Sequence, residues 1–482
     1  MDPKPEGEAG LSGLPWPPPE HAARVAAYRQ NHLIWAGEHE RVLLSNDVRM
    51  EGQYTTVNIA KNIVTIAADI LFGEEIKFTF PDDASDEDAQ RVRDIIERNE
   101  FTTLLYESAL DTGYAGDGVF VVGRDDEEQA IIHTVPAENW FPEQNPDNIR
   151  EVTKHTLAWE RAYGKDKYLR VVEHTPGLVV NGLYQLKGGK LGAPATQDEW
   201  ARLYGDNVPP EKVETAVEDF LVVHVPNFRT SREYFGQSEY AAGVQSIFGA
   251  INARVTQSDG ILDRHSDPSM ALPYDVWAQA TKGGTRDVDP AELSVVALGQ
   301  NGEKPEYITW DGQLENNYRL IDKLIHLLGV VTETAPQLLH AEGWGGDFSG
   351  RALKILLLRT LAKVNRKRLY YDAAIKKILE LSQLIEGVDP VPVAIIWPDG
   401  LPQDVRETVD IVERRIAGRT LSRKRGIMRM DDSDEKEAGE AIVEIDDEDG
   451  RDLERVAAFA PRSGTAKPPI PVRINLGQGG EE

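Results

Sequence analysis

The spacing of apolar positions divides this chain into stretches of two different periods. Between 351 and 387, Leu353, Leu357, Leu361, Val364, Tyr371, Ile375 and Ile378 recur every three or four residues, which is one face of a helix. Nothing interrupts that spacing before Gly387, Asp389 and Pro390. It predicts a single unbroken helix of roughly 55 Å. The same period predicts helices over 21–45, 55–72, 85–99, 101–112, 235–265, 314–331 and 404–417. In 55–72 the inward positions are Ile59, Ile63, Ile66, Ile70 and Leu71, with Gly73 as the stop. Ser85-Asp86-Glu87-Asp88 approximates a capping box at the head of the next helix. Across 235–265 the apolar side runs from Tyr240, Val244 and Phe248 to Ile261 and Leu262; across 314–331 it is Leu320, Leu324, Leu327 and Leu328.

Elsewhere the period is two. A short strand is expected at 76–80, and strands at 119–122, 129–135, 155–161, 168–174 and 221–225 are separated by Gly, Pro, Asn and charge clusters. That is a hairpin-rich antiparallel region. Gly113, Gly116 and Gly118 lie between helix and strand without a following Lys-Ser/Thr, so they form a turn and not a phosphate loop. Residues 266–312 carry two further short strands, 294–299 and 305–310, and 391–397 reads as a strand returning to the earlier sheet. Between 332 and 350 the chain is a loop with Gly343, Gly345, Gly346 and Gly350 around Trp344 and Phe348, closed by Asp347 or Ser349 as the N-cap of the long helix.

Composition narrows the chemistry. The 482 residues are enough for two to four domains, and a formal charge of −28 is the wrong sign for a conventional DNA-binding protein. Cysteine is absent, which removes disulfides, thiolate metal sites and cysteine nucleophiles. No Walker phosphate loop, zinc-ligand spacing or nucleophile elbow is present, and Ile445 to Gly450 fits a calcium loop poorly, with Ile445 at the first ligand position. His133, His224 and His326 fall inside strand or helix patterns and read as packing residues. No enzyme, cofactor or metal is expected, and no apolar run approaches the ~20 residues of a membrane span. The first half of the long helix is basic throughout, from Arg351 and Lys354 to Arg368.

The order of parts resembles the portal proteins of tailed double-stranded DNA phages, in the subgroup with a helical stem. Gly236-Gln237-Ser238-Glu239, Asn252 and Ser349-Gly350-Arg351-Ala352-Leu353-Lys354 carry the resemblance. It implies an α+β, phage-portal-like fold: a mixed α/β wing, a two-helix stem with a small β clip, one very long helix and a helical C-terminal crown. The wing would be 21–235 with strand 390–400, and the stem helices 236–265 and 313–331. The clip would be 266–312, the tunnel loop 332–350, the long wing helix 351–387 and the crown 401–460. Residues 1–20 would be a disordered Pro-rich arm and 461–482 a flexible tail.

The resemblance further implies a homo-oligomeric ring of about twelve subunits, closed by heterologous contacts. The ring sits at one capsid vertex of the virion, after assembly in the host cytoplasm. Double-stranded DNA passes through it during packaging and ejection, and terminase, tail-connector or adaptor proteins, major capsid protein and scaffolding protein dock on it. Glu342, Trp344, Asp347 and Phe348 are then the channel-loop residues, and Arg319, Lys323, Arg351 and Lys354 the candidate channel or inter-subunit basic residues. The basic run 351–368 is expected to pair with acids of neighbouring subunits, with direct DNA contact as the second reading. A nuclease or a capsid scaffold without a channel are the alternatives for the whole chain.

Overall fold

The computed structural model describes residues 13–43, 54–266, 270–273, 295–298, 306–307, 314–339, 354–400, 405–430 and 438–447, apart from Ala242 and Asp399. The chain divides into two compact units, Met1–Leu401 and Pro402–Glu482. The fold is α+β.

The first unit opens with α1 (Pro19–Ala36) and α2 (His39–Leu43) where a single helix was expected. Gly37 divides them: it takes φ 87°, and its N–H and that of Glu38 close on Ile34 and Leu33. Then come α3 (Ile59–Phe72), β1 (Lys77–Thr79), α4 (Asp86–Arg98) and α5 (Phe101–Ala115). Ser85 caps α4 as anticipated, its hydroxyl accepting from the Asp88 N–H. Gly116, at φ 106°, turns α5 into β2 (Asp117–Arg124), which agrees with the turn read from Gly113, Gly116 and Gly118.

β2 is the middle of a three-stranded antiparallel sheet, between β3 (Ala130–Thr134) and β10 (Val222–Pro226). A larger antiparallel sheet follows the order β4 (Trp140–Asn145), β5 (Asn148–Tyr163), β6 (Asp166–Thr175), β7 (Leu178–Lys187), β8 (Lys190–Pro194), with β9 (Lys212–Glu214) also on β7. Helix α6 (Gln197–Tyr204) lies between β8 and β9, opened by a full capping box of Thr196 and Glu199.

Residues 13–18, within the arm expected to be disordered, run beside β8. The Leu191 N–H donates to the Leu14 carbonyl and the Leu191 carbonyl accepts from the Gly13 N–H, Pro15 bridges Lys190, and Trp16 packs 4.7 Å from Phe141. The arm therefore covers the backbone edge that β8 would otherwise leave open.

Next come α7 (Val244–Ser266), three short strands β11 (Met270–Pro273), β12 (Val295–Leu298) and β13 (Glu306–Tyr307), and α8 (Leu314–Val331). β11 pairs with both other strands, parallel to β12 and antiparallel to β13. Phe248 and Ile251 of α7 share a core with Ile325 and Leu328 of α8. The packed face of α8 is thus Ile321, Leu324, Ile325 and Leu328; Leu320 and Leu327, expected to face inward, are 38% and 44% exposed. The helix is rotated by about one position from the predicted face.

After α9 (Pro336–Leu339) the long helix is interrupted where no break was anticipated. Residues 354–356 are helical, Leu357 leaves the helix at φ −89° and ψ 1°, and α10 runs from Leu358 to Ile385, about 42 Å. Leu357 is buried in a cluster with Ala335, and the break lets it reach that cluster. The stop at Gly387 is as expected, with φ 75° and the Gly387 and Val388 amides closing on Leu384 and Gln383. β14 (Ala394–Ile396) pairs with β1 in a two-stranded sheet of its own, not with either larger sheet.

The main core joins α3, α4, α5, β2, β3 and β10 to α10 from Val364 onward. Tyr371 lies at its centre, fully buried, its hydroxyl within 3.2 Å of Ser108 and 3.0 Å of Thr112. The second unit holds α11 (Val405–Ala417), α12 (Arg423–Met430) and a helix over 438–447, where Ala438 is buried. No helix among the described residues is long and apolar enough to cross a membrane.

Candidate functional site

The loop singled out from the sequence has its own residues Glu342, Trp344, Asp347, Phe348 and Arg351 outside the described part of the chain. Its root is described, and the root is where the charge chemistry of the molecule concentrates. Three segments meet there: the turn after α8, the start of α10, and the stretch Gly236–Gly243 that precedes α7.

That stretch was expected to be the first two turns of a helix; instead it wraps over the end of α5. The Gly236 N–H donates to the Asp117 carboxylate at 2.7 Å. A Cβ on Gly236 would stand 2.0 Å from the Gly116 carbonyl, so only glycine fits. Ser238 donates to the Tyr114 carbonyl at 2.6 Å and accepts from the Tyr240 N–H at 3.0 Å. The Glu239 N–H donates to the Gly113 carbonyl. Glu239 is thereby carried into the interior with 5% exposure.

There it meets two lysines of α10. Lys363 donates to Glu239 at 3.2 Å, to the Thr332 carbonyl at 2.8 Å and to the Thr334 hydroxyl at 3.0 Å. The Lys367 ammonium lies 2.7 Å from the other carboxylate oxygen, a close charge contact rather than a well-directed hydrogen bond. Burial pushes the Glu239 carboxyl up, but Lys363 and Lys367 together outweigh it and hold the pKa at about 2. Burial pulls the Lys363 ammonium down, against the attraction of Glu239. The turn is further fixed by Thr360, which accepts from the Ala335 N–H at 2.8 Å, and by an exposed pair between Arg366 and Glu333.

For part of the basic run expected to pair with acids of neighbouring subunits, the partners are internal. Lys363, Arg366 and Lys367 find their acids within the chain. Arg368 donates to the Ile70 carbonyl at 3.1 Å and lies 5.4 Å from the Trp397 ring. Lys354 and Arg359 are the exposed cations of α10 and the helical turn before it, up to residue 363. On α8, Arg319 is 73% exposed and pairs with Glu315 at 2.7 Å. Lys323 stands one turn further along the same exposed face. Arg319 and Lys323 therefore share one exposed face of α8.

A second polar centre went unread in the sequence. Asp117 is fully buried; it accepts from Tyr28, from the His224 ring at 2.6 Å and from the Gly236 N–H. Trp140 covers His224 at 4.5 Å between ring centres. Asn252 is the third centre, accepting from the Val57 N–H and donating to His39 and Tyr54. All three tie distant segments together, and each has its partners within the chain. Among the described residues no group of His, Asp and Glu could hold a metal ion. The Glu239 centre ties the turn after α8 to α10.

Residues 18–167 match the family described as phage portal protein, SPP1 Gp6-like. No curated protein matches the chain. Among solved structures, a chain from the neck of a native GTA particle computed with C12 symmetry is similar at 11% identity and a TM-score of 0.45. A chain from the neck of an empty GTA particle computed with C6 symmetry is similar at 13% identity and a TM-score of 0.48. In each case 87% of this chain and 95% of the other are covered. The resemblance to phage portal proteins is thus shown over residues 18–167, and that family is a structural one, not an enzyme family.

Proposed function

We propose that this chain is the subunit of a portal ring at one capsid vertex, through which double-stranded DNA is packaged and ejected. The match of residues 18–167 to the portal family carries the reading. Ring formation has independent physical support in the apolar surface left uncovered. Leu320, Leu327, Val330 and Val331 of α8 are 38–48% exposed. Ile355 and, on α10, Leu358 and Leu369 are 65–73% exposed. Covering a side chain of this kind fully is worth about 1.5–3 kcal/mol. Stripes on two separate helices suit heterologous contacts, in which one face of a subunit meets a different face of the next and the series closes.

In this reading the parts keep the roles that the resemblance implies. The wing is 21–235 with 390–400, the stem 236–265 and 313–331, the clip 266–312 and the crown 401–460. The clip is where terminase docks first and tail-connector proteins later; capsid and scaffolding proteins surround the ring. The loop 332–350 projects into the channel from the root held by Glu239, Lys363 and Lys367. An acidic subunit with few exposed cations suits DNA that must slide, since duplex DNA carries a charge every ~1.7 Å and a uniformly basic lining would hold it.

End-on electron microscopy with native mass spectrometry tests the proposal. A closed ring of about twelve copies is expected. A protein that stays monomeric with its assembly partners present would refute it.

A further inference from the structure

The second unit carries a charge pattern that ring building does not use. Over 405–430 eight Arg or Lys stand against three acids, in a chain whose formal charge is −28. The structure gathers most of them at one end of a helical hairpin. α11 ends at Ala417, the turn runs through Gly418 and Arg419, and α12 starts at Arg423. Gly426 lets the two helices approach closely: a Cβ there would stand 2.7 Å from the Ile416 side chain and 3.2 Å from Val412. The turn is tight, with the Gly418 N–H on the Arg414 carbonyl and the Thr420 N–H on the Arg415 carbonyl.

Arg414, Arg415, Arg419, Arg423 and Arg425 all project from this tip into solvent. Arg414 is 80% exposed and only loosely paired, 3.7 Å from Asp410; Arg423 is 55% exposed and 3.3 Å from Asp446. Arg415, Arg419 and Arg425 make no ion pair among the described residues.

Helix stability explains only half of the arrangement. Arg414 and Arg415 in the last turn of α11 complement its negative end. Arg423, Lys424 and Arg425 occupy the first turn of α12, where no acid is present and the helix end is already positive. Cations there oppose the helix dipole and one another; Asp446 offsets Arg423, and Arg425 has no acid among the described residues.

We infer that the tip formed by Arg414, Arg415, Arg419, Arg423 and Arg425 is a binding surface for the phosphate backbone of duplex DNA, distinct from the loop 332–350. The choice of DNA as the polyanion rests on the portal reading. The exposed guanidiniums contact phosphate oxygens with two donors each and read no sequence. Binding is weak and steeply salt-dependent, because the rest of the subunit is acidic and screening confines attraction to about 10 Å.

Closed circular duplex DNA provides the test, since it cannot thread a closed ring and reports only external contacts. The full-length protein binds it, and the affinity falls with salt with a log–log slope of about −3 to −4, about 0.9 for each phosphate neutralised. The variant R415E/R419E/R425E, with native circular dichroism, loses at least about tenfold in affinity at 0.1 M salt and about 3 from the slope. Lys187→Glu, on the β7–β8 hairpin of the first unit, leaves both unchanged. No binding of the circle by the unaltered protein overturns the inference, as does undiminished binding by the triple variant. Displacement by inorganic phosphate at matched ionic strength also overturns it, in favour of a free-phosphate site. Binding of the circle persists whether or not the protein forms rings, so failure of the portal reading is seen separately by native mass spectrometry.

Discussion

Glu239 and Lys367 stand 128 positions apart in the chain and 2.7 Å apart in the fold, with each side chain 3% exposed. With Lys363 they put one carboxylate between two ammonium groups, in a place that water does not reach. The cluster connects the segment before α7, the turn after α8 and the helix α10. Removing its only acid leaves two buried cations facing each other.

Glu239→Gln is therefore expected to destabilise the protein by about 3–5 kcal/mol. The triple change Glu239→Leu, Lys363→Met, Lys367→Met recovers most of that loss, because replacing a whole buried ion cluster by apolar groups is close to neutral. Denaturant unfolding measures both. Equal damage from the single and triple variants would show that specific hydrogen bonds, such as Lys363 to Thr332, matter more than the charges. With a folded pKa of about 2, against an ordinary value of 4.5, Glu239 contributes its stability above pH 4.5 and loses it as pH falls toward 2.

Acid sensitivity should begin earlier than that. Burial is the first cause that lowers His21 to about 4, His155 to about 3 and His174 to about 4. A histidine with a depressed pKa must charge on unfolding, so its contribution is complete above pH 6.5 and lost as pH falls toward 4 and 3. Each group costs about 2 kcal/mol at pH 5 relative to pH 7. Stability measured at both pH values should differ accordingly, and His174→Leu should reduce the difference by about a third. An unchanged pH profile in that variant would rule out His174 as a contributor.

Leu320→Glu with Leu327→Glu places two charges on the uncovered face of α8. The folded subunit tolerates them within about 1 kcal/mol, since neither side chain is in the core. Assembly does not, because a buried unpaired charge is costly at an interface. Subunits with native circular dichroism and no rings by native mass spectrometry are the expected result. Rings of normal yield would exclude this face from the interface.

Removal of residues 343–346 shortens the loop while leaving its root intact. The contacts of Lys363, Thr360 and Thr334 all lie outside the deletion. Rings should form, with packaging or retention of DNA impaired in an assembly assay. Loss of rings would make the loop a structural joint, and full packaging would make it dispensable.

Much of the fold was legible because its signals are local. The Ser85 cap, the Gly116 turn, the Gly387 stop and the period-two stretches each depend on residues within one turn or one hairpin of each other. Thr196-Gln197-Asp198-Glu199 was equally readable as a capping box and marks a helix that the periodicity alone did not reveal. β7 was harder to see. Nine of its ten residues are half-buried or buried on both faces of the sheet, which erases the alternation that marks a strand.

Tertiary structure alone decided the rest. Which of two adjacent apolar rows on α8 turns inward depends on Phe248 and Ile251, far away in sequence. The break at Leu357 depends on the cluster around Ala335. Above all, a run of lysines and arginines along α10 looks the same in sequence whether it faces solvent, DNA or a neighbouring subunit. Only the fold brings Glu239 to Lys363 and Lys367, because a charge finds its partner by distance in space, and sequence separation carries no record of that distance.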